Sequence, residues 1–279
     1  MSSTQSKQSE DFPRTVVLGA SGRLARLIRP LWKNAPVLWQ SRTALAGCVQ
    51  VDILNDPVGL ADLLRGADCI ICLAGVTPAT DANFDDNHRI GKACLDAAQT
   101  ADAGHVFLTS SAAVYGAQTG ILNEASDINP TSDYGIAKQK MEQMAAAHEH
   151  PSTCLRIGNV AGAEAALGGW SPSTVMDQLP DGTTPARSYI GPATLARVLQ
   201  TLANTKNLPK ILNLSAPGAQ EMGALLDAAD RPFATRPASA NTIANVTLDT
   251  TLLETLVTFS AQDSDAAHMV QQWKEAIKK

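Results

Sequence analysis

The sequence predicts an α/β fold, a doubly wound parallel sheet followed by a small C-terminal lobe, and three observations predict it. Short apolar runs of strand length alternate with amphipathic stretches of helix length through about residue 160. The first of these runs ends in a glycine-rich turn that opens directly onto a helix. Beyond residue 160 the alternation yields to a segment rich in Gly, Ala, Pro and Ser, and then to further helices and a returning strand.

Taken in order, Thr15 to Leu18 reads as the first strand and Arg23 to Trp32 as its helix. Val37 to Trp39 and Val49 to Val51 are the next two strands, with a brief helix over Gly59 to Leu64. Cys69 to Leu73 is an apolar strand. Asp85 to Thr100 is helical because Ile90, Ala93, Cys94, Ala97 and Ala98 recur at helix spacing. His105 to Leu108 is a strand, Tyr134 to His148 a helix, and Thr153 to Ile157 a strand. Gly158 to Arg187 has weak periodicity. After it come a helix over Leu195 to Asn204, a strand over Ile211 to Leu214 that returns to the main sheet, and helices over Glu221 to Asp230 and Asp265 to Lys278.

The chain has 279 residues, 44% hydrophobic and 18% charged, enough for a full core in one large domain with a small lobe. A net charge of −5 without long charged runs argues against nucleic-acid and membrane-surface partners, and no apolar run is long enough for a membrane helix. Cys69 and Cys72 form a Cys-x-x-Cys, but on a strand residues three apart face opposite sides and cannot share a metal. No other cysteine or histidine pair has ligand spacing, so no metal site is expected. Five cysteines without a disulfide framework fit a reducing, cytoplasmic setting.

The first strand runs into Gly19-Ala-Ser21-Gly22-Arg23-Leu24-Ala25. Gly19 permits a tight turn, Gly22 lets backbone approach a pyrophosphate, and small Ala25 lets helix and strand pack closely. The N–H groups opening the helix then face phosphates. This makes the turn a dinucleotide site of Rossmann type. An NAD site places an acid at the end of the second strand to hold the ribose hydroxyls. This chain has Gln40-Ser41-Arg42 there, and a guanidinium suits a 2′-phosphate. NADP is therefore the expected cofactor, with NAD the alternative, and Arg23 supplements the phosphate site.

The strand beginning at His105 runs on into Ser111, and Tyr134-Gly-Ile-Ala-Lys138 follows. Tyr134 and Lys138, four apart on a helix, project together. A neighbouring ammonium, with the charge of an oxidised nicotinamide, favours phenolate, so Tyr134 is expected to exchange a proton with a substrate hydroxyl or carbonyl while Ser111 holds that oxygen.

These residues resemble the extended short-chain dehydrogenase/reductases, the NAD-dependent epimerase/dehydratase family. Gly19, Gly22 and Ala25 resemble the family's glycine motif, Asp52 with Ile53 its acid near the adenine, and Leu73-Ala74-Gly75 its segment under the cofactor. Asn87 matches its structural asparagine and is grouped here with the catalytic Ser111, Tyr134 and Lys138. Ser110 to Gly116, Glu124, Pro130 and Leu155 to Val160 also match. Arg187 and Asn159 sit at motif positions that imply substrate binding. The resemblance implies a nucleotide-binding domain over residues 14–160 and a substrate-binding lobe with returning sheet elements over 161–279, after a disordered tail over 1–13.

The resemblance implies an NAD(P)-dependent epimerase or reductase, with hydride transfer between NADP(H) and a hydroxyl or carbonyl carbon of a sugar-like or small carbonyl substrate; the expected NADP preference leans toward a reductase. Ala112 and Ala113 follow Ser111 where 4,6-dehydratases carry an acid–base pair, so dehydration is disfavoured. The five histidines form no hydrolase triad spacing. A non-catalytic NADP-binding sensor or scaffold is the alternative of a different class, although such relatives lose the Tyr or Lys. Family members often dimerise through the two helices here spanning Asp85–Thr100 and Tyr134–His148, so a homodimer is the expected assembly if not a monomer.

Overall fold

The computed structural model describes residues 12–78 and 83–278. Its elements are β1 (Thr15–Leu18), α1 (Arg23–Ile28), β2 (Val37–Ser41), β3 (Val49–Gln50), α2 (Pro57–Leu64), β4 (Cys69–Cys72), α3 (Asp86–Thr100), β5 (His105–Ser111), β6 (Gly120–Leu122), α4 (Asp133–Ala147) and β7 (Ser152–Ile157). The chain continues through β8 (Asn159–Val160), β9 (Val175–Gln178), β10 (Ala186–Arg187), β11 (Tyr189–Ile190), α5 (Pro192–Ala203) and β12 (Ile211–Leu214). It ends with β13 (Gln220–Glu221), α6 (Met222–Ala228), β14 (Ala234–Pro237), β15 (Asn245–Leu248), α7 (Thr251–Glu254) and α8 (Ala266–Ala276).

Seven strands form the central sheet in the order β12-β7-β5-β4-β1-β2-β3, and every neighbouring pair is parallel. The order reverses between β1 and β4, and such a switch point opens a crevice at the strands' carboxyl ends. One apolar cluster, with Val17, Ile71 and Phe107, covers one face; a second, with Leu18, Ile70 and Leu108, covers the other. A sheet buried on both faces explains why these strands read as continuous apolar runs. Cys69 belongs to the first cluster and Cys72 to the second, the opposite-face placement expected of a strand. Burial pushes the Cys69 thiol up to about 12.

Helix starts follow ordinary capping chemistry. Asp56 accepts from the Gly59 N–H ahead of α2, and Ser132 from the Gly135 N–H ahead of α4. The helix expected through Trp32 stops being α-helical at Ile28, and Arg29–Trp32 tightens into a 3-10 turn. Pro30 is the physical reason, since it lacks the N–H that would continue the ladder. Residues 1–11 of the expected tail lie outside the described residues. Phe12 departs from that expectation: it is buried and packs edge-on against Trp32 with ring centroids 5.2 Å apart.

The lobe carries a four-stranded sheet, β13-β10-β15-β6, and two short pairs, β11 with β8 and β14 with β9. Its edge strand β6 comes from residues 120–122 and pairs with β15, so the segment just after β5 also helps to build the lobe. Among the described residues no helix is long and apolar enough to cross a membrane.

Candidate active site

The glycine turn sits at the switch point. Gly19 has φ +91°, and a Cβ there would lie 2.6 Å from the Ala74 backbone nitrogen. Only glycine lets the turn lie this close to the end of β4. The turn is pinned from β2: the Gly19 N–H donates to Gln40 Oε1 at 2.9 Å, while Gln40 Nε2 donates to the Val51 carbonyl at 2.5 Å. Sequence reasoning treated Gln40 only as the absence of an acid.

A hollow of about 260 Å³ lies beside this turn, walled by Gly19, Ser21, Gly22, Arg42, Asp52, Ile53 and the Leu73-Ala74-Gly75 segment. Arg42 is exposed at its rim. Asp52 accepts from the N–H groups of Leu54 (3.0 Å) and Asn55 (3.2 Å) and from Asn55 Nδ2 (3.0 Å). The Asn55 amide, with these N–H groups and the Arg42 charge, holds its carboxyl below the usual range. Ser41, expected beside Arg42 in the cofactor site, is not in the wall. Strand alternation turns it inward, and its hydroxyl is buried without a partner among the described residues.

A larger cleft of about 620 Å³ continues from the turn, and Ser21, Gly22, Arg23 and Leu24 form its near side. Its floor joins Thr109, Ser110 and Ser111 from β5 with Tyr134 and Lys138 from α4. Tyr134 stands beside Ser111, whose Oγ accepts from the Ala113 N–H at 3.2 Å. Lys138 is buried, and its Nζ donates to the Thr109 carbonyl at 2.7 Å, 5.8 Å from the Tyr134 ring centroid. A Cβ on Gly75 would come within 3.3 Å of that Nζ, so this glycine too is needed for the close approach.

Burial raises the Tyr134 phenol above its ordinary value, opposed by the Ser111 hydroxyl beside it and the Arg23 charge. The Lys138 ammonium is turned toward the Thr109 carbonyl, and the expected lowering drew also on the charge of an oxidised nicotinamide. Burial lowers Lys138 itself to about 8.

Two further residues stand elsewhere than expected. Asn87, grouped with the catalytic set, does not line the cleft. Its Oδ1 accepts from the Val76 N–H at 3.0 Å, and its Nδ2 donates to the carbonyls of Val76 (3.0 Å) and Phe84 (3.2 Å). It clips the segment after β4 to the start of α3. Arg187 is half-buried in β10, outside the cleft wall, and donates to the carbonyl of Ala186 at 2.7 Å. Asn159 does line the cleft, hydrogen-bonded to Tyr189 behind it.

Sequence reasoning missed two groups. Glu164 lines the far side of the cleft, its carboxylate held by the backbone N–H groups of Ala166 and Leu167. Burial raises it above the usual carboxylate value against those hydrogen bonds. Glu142, one turn beyond Lys138, accepts from Ser110 Oγ at 2.5 Å and from Arg156 Nη2 at 2.8 Å. Arg156 in turn donates to the Tyr115 hydroxyl at 3.0 Å, and Tyr115 to Asn213 Oδ1 at 2.7 Å. This buried network fixes the floor of the cleft to β7 and β12. Among the described residues no group of His, Cys, Asp or Glu is arranged to hold a metal ion.

A glycine turn at the switch point, with Ser, Tyr and Lys side chains beside it, defines a Rossmann-type enzyme fold of the extended short-chain dehydrogenase/reductase class. The chain belongs to the NAD dependent epimerase/dehydratase family, whose model matches residues 15–179. It is similar to a solved UDP-glucose-4-epimerase from Stenotrophomonas maltophila with bound NAD and formylated UDP-arabinopyranose (21% identity, 95% of this chain and 98% of that one, TM-score 0.76). It is also similar to a UDP-glucuronic acid 4-epimerase from Bacillus cereus in complex with UDP-glucuronic acid and NAD (17%, 95% and 98%, TM-score 0.75). A dTDP-glucose 4,6-dehydratase from Streptomyces venezuelae with NAD bound matches as well (19%, 94% and 97%, TM-score 0.71). At these identities the likeness is one of fold. No curated protein sequence matches the chain.

Proposed function

We propose that this chain is an NADP(H)-dependent reductase or epimerase that moves a hydride between the cofactor and a hydroxyl or carbonyl carbon of a small or sugar-like substrate. The observation that carries the reading is the meeting of Ser111, Tyr134 and Lys138 on the floor of one cleft beside Gly75. When bound, the dinucleotide supplies or accepts the hydride.

The residues present fit such a group. Gly19, Gly22 and Gly75 bring bare backbone to the walls of the two hollows, where a dinucleotide could lie close against the chain. Arg23 and Arg26 line the cleft and Arg42 the smaller hollow, cations placed for a phosphate-bearing ligand. Arg42 at the rim of the smaller hollow would take a 2′-phosphate through its forked donors. NAD-binding neighbours keep NAD as the alternative. Arg42→Ala should weaken NADPH by about tenfold to a hundredfold while NADH changes little, as expected for one lost charge-assisted hydrogen-bond pair. Fluorescence titration of the two reduced cofactors measures this, and an unchanged ratio would falsify the NADP assignment.

In the reducing direction Tyr134 Oη donates its proton to the substrate's carbonyl oxygen, which Ser111 Oγ holds in place. A phenol raised by burial is protonated at neutral pH, the form that donation requires. Lys138, as the ammonium on the cleft floor, would hold the bound dinucleotide in place. Because that amine titrates near 8, its charge is present below this pH and lost above it. Carbonyl reduction should therefore decline as pH rises through about 8. A turnover rate that stays flat well into the alkaline range would count against the role of Lys138.

Ala112 and Ala113 leave no proton donor beyond Ser111, which disfavours 4,6-dehydration. The overall test is loss of NADPH absorbance with a panel of carbonyl compounds. Cofactor binding without turnover on any of them would point to the sensor alternative.

A further inference from the structure

A second hollow, of about 800 Å³, opens behind the glycine turn between α1, β2 and the loop at residues 45–47. Its charged wall residues are Arg26, Arg29 and Lys33, and no carboxylate lines it. Arg26 lies in α1, Arg29 opens the 3-10 turn that follows and Lys33 closes it, and all three line this hollow. Among the described residues none of the three forms an ion pair. Arg29 instead reaches the Ala46 carbonyl and lies 6.0 Å above the Trp39 ring.

The floor is aromatic: Trp32 and Trp39 are buried with ring centroids 6.0 Å apart. Three like charges without a counter-ion, in a chain whose net charge is −5, leave a local field that an anion would relieve. The dinucleotide path does not use Arg29 or Lys33, because neither lines the cleft or the smaller hollow.

We propose that this hollow is a second ligand site, which takes a small organic phosphate: the phosphate on Arg29 and Lys33, the apolar part on the tryptophan floor. Ser21 borders this hollow and both dinucleotide hollows, so the 2′-phosphate of NADP is the other source of the same chemistry, and the test must separate the two.

The full chain is first saturated with whichever of NADP+ and NAD+ it binds more tightly, which fills the dinucleotide path. Phenyl phosphate is then titrated by calorimetry, beside phenol and inorganic phosphate. Saturable binding of phenyl phosphate is expected, about tenfold or more tighter than either fragment. Arg29→Gln combined with Lys33→Gln should weaken it by about tenfold or more while dinucleotide affinity stays within about twofold. If the double variant does not fold, Lys33→Glu alone provides the same comparison, since that side chain is exposed. Absence of saturable binding, or binding that the substitutions leave unchanged, overturns the site. Inorganic phosphate binding as tightly as phenyl phosphate overturns the assignment of an organic ligand. Because the cofactor is chosen by measurement, failure of the NADP assignment shows in the saturation step and failure of this site in the titration.

Discussion

Replacing Tyr134 by Phe is expected to lower turnover by about 10²–10⁴-fold, the range for a positioned general acid or base. The substitution removes one oxygen and keeps the ring, which packs edge-on against Phe84 with centroids 6.1 Å apart. The fold should therefore survive, and NADPH affinity should stay within a few-fold. Ser111 would keep its hydrogen bond from the Ala113 N–H. Steady-state kinetics beside cofactor titration separate the two effects. A variant that loses cofactor binding in step with turnover would assign Tyr134 to cofactor binding instead of proton transfer.

The largest stability effect is expected at Glu142. Its carboxylate faces the Arg156 guanidinium with both side chains nearly inaccessible, 5% and 2% exposed. Glu142→Ala strands that guanidinium in the core and should cost about 3–5 kcal/mol, as for other buried pairs broken on one side. Replacing both residues by Met should cost less than the single change, because no charge is then left uncompensated. Urea unfolding of the single and double variants gives the comparison. A double variant less stable than Glu142→Ala would mean that the network's worth lies in its hydrogen bonds to Ser110 and Tyr115 and not in charge pairing. Glu142 also anchors Ser110 on the cleft floor, so partial loss of activity in the folded fraction is expected.

What the sequence made legible was local. Gly19, Gly22 and Ala25 lie within one turn, and Tyr134 and Lys138 within one helical step, so spacing alone sufficed to group them. The central sheet was legible for the same reason, since strands buried on both faces appear as uninterrupted apolar runs. Glu164 aside, whose carboxylate is held locally by Ala166 and Leu167, the missed groups depend on distant partners. Gln40 reaches 21 residues back to Gly19, Arg156 pairs 14 residues back with Glu142, and Tyr115 meets Asn213 across 98 residues. The lobe's strands are two to four residues long and pair across similar distances, β6 with β15 and β9 with β14, leaving no periodic signal to read. Ser41 shows a different failure. Its place beside Arg42 was right, but the alternation of β2 sends Gln40 and Arg42 toward the cofactor hollow and Ser41 to the other side. That signal was present in the sequence, in buried Trp39 two residues earlier. Asn87 resembles the family's structural asparagine, and its hydrogen bonds run to the backbone of Val76 and Phe84, outside the cleft wall.

The central claim, that the phenol and the amine of α4 face the reactive end of a bound dinucleotide, is tested most directly by a crystal structure with NADP+ soaked to saturation. The account predicts the nicotinamide ring over the floor formed by Ser111, Tyr134 and Lys138. A dinucleotide lying elsewhere, or one whose ring is separated from Tyr134 Oη by protein, would contradict it.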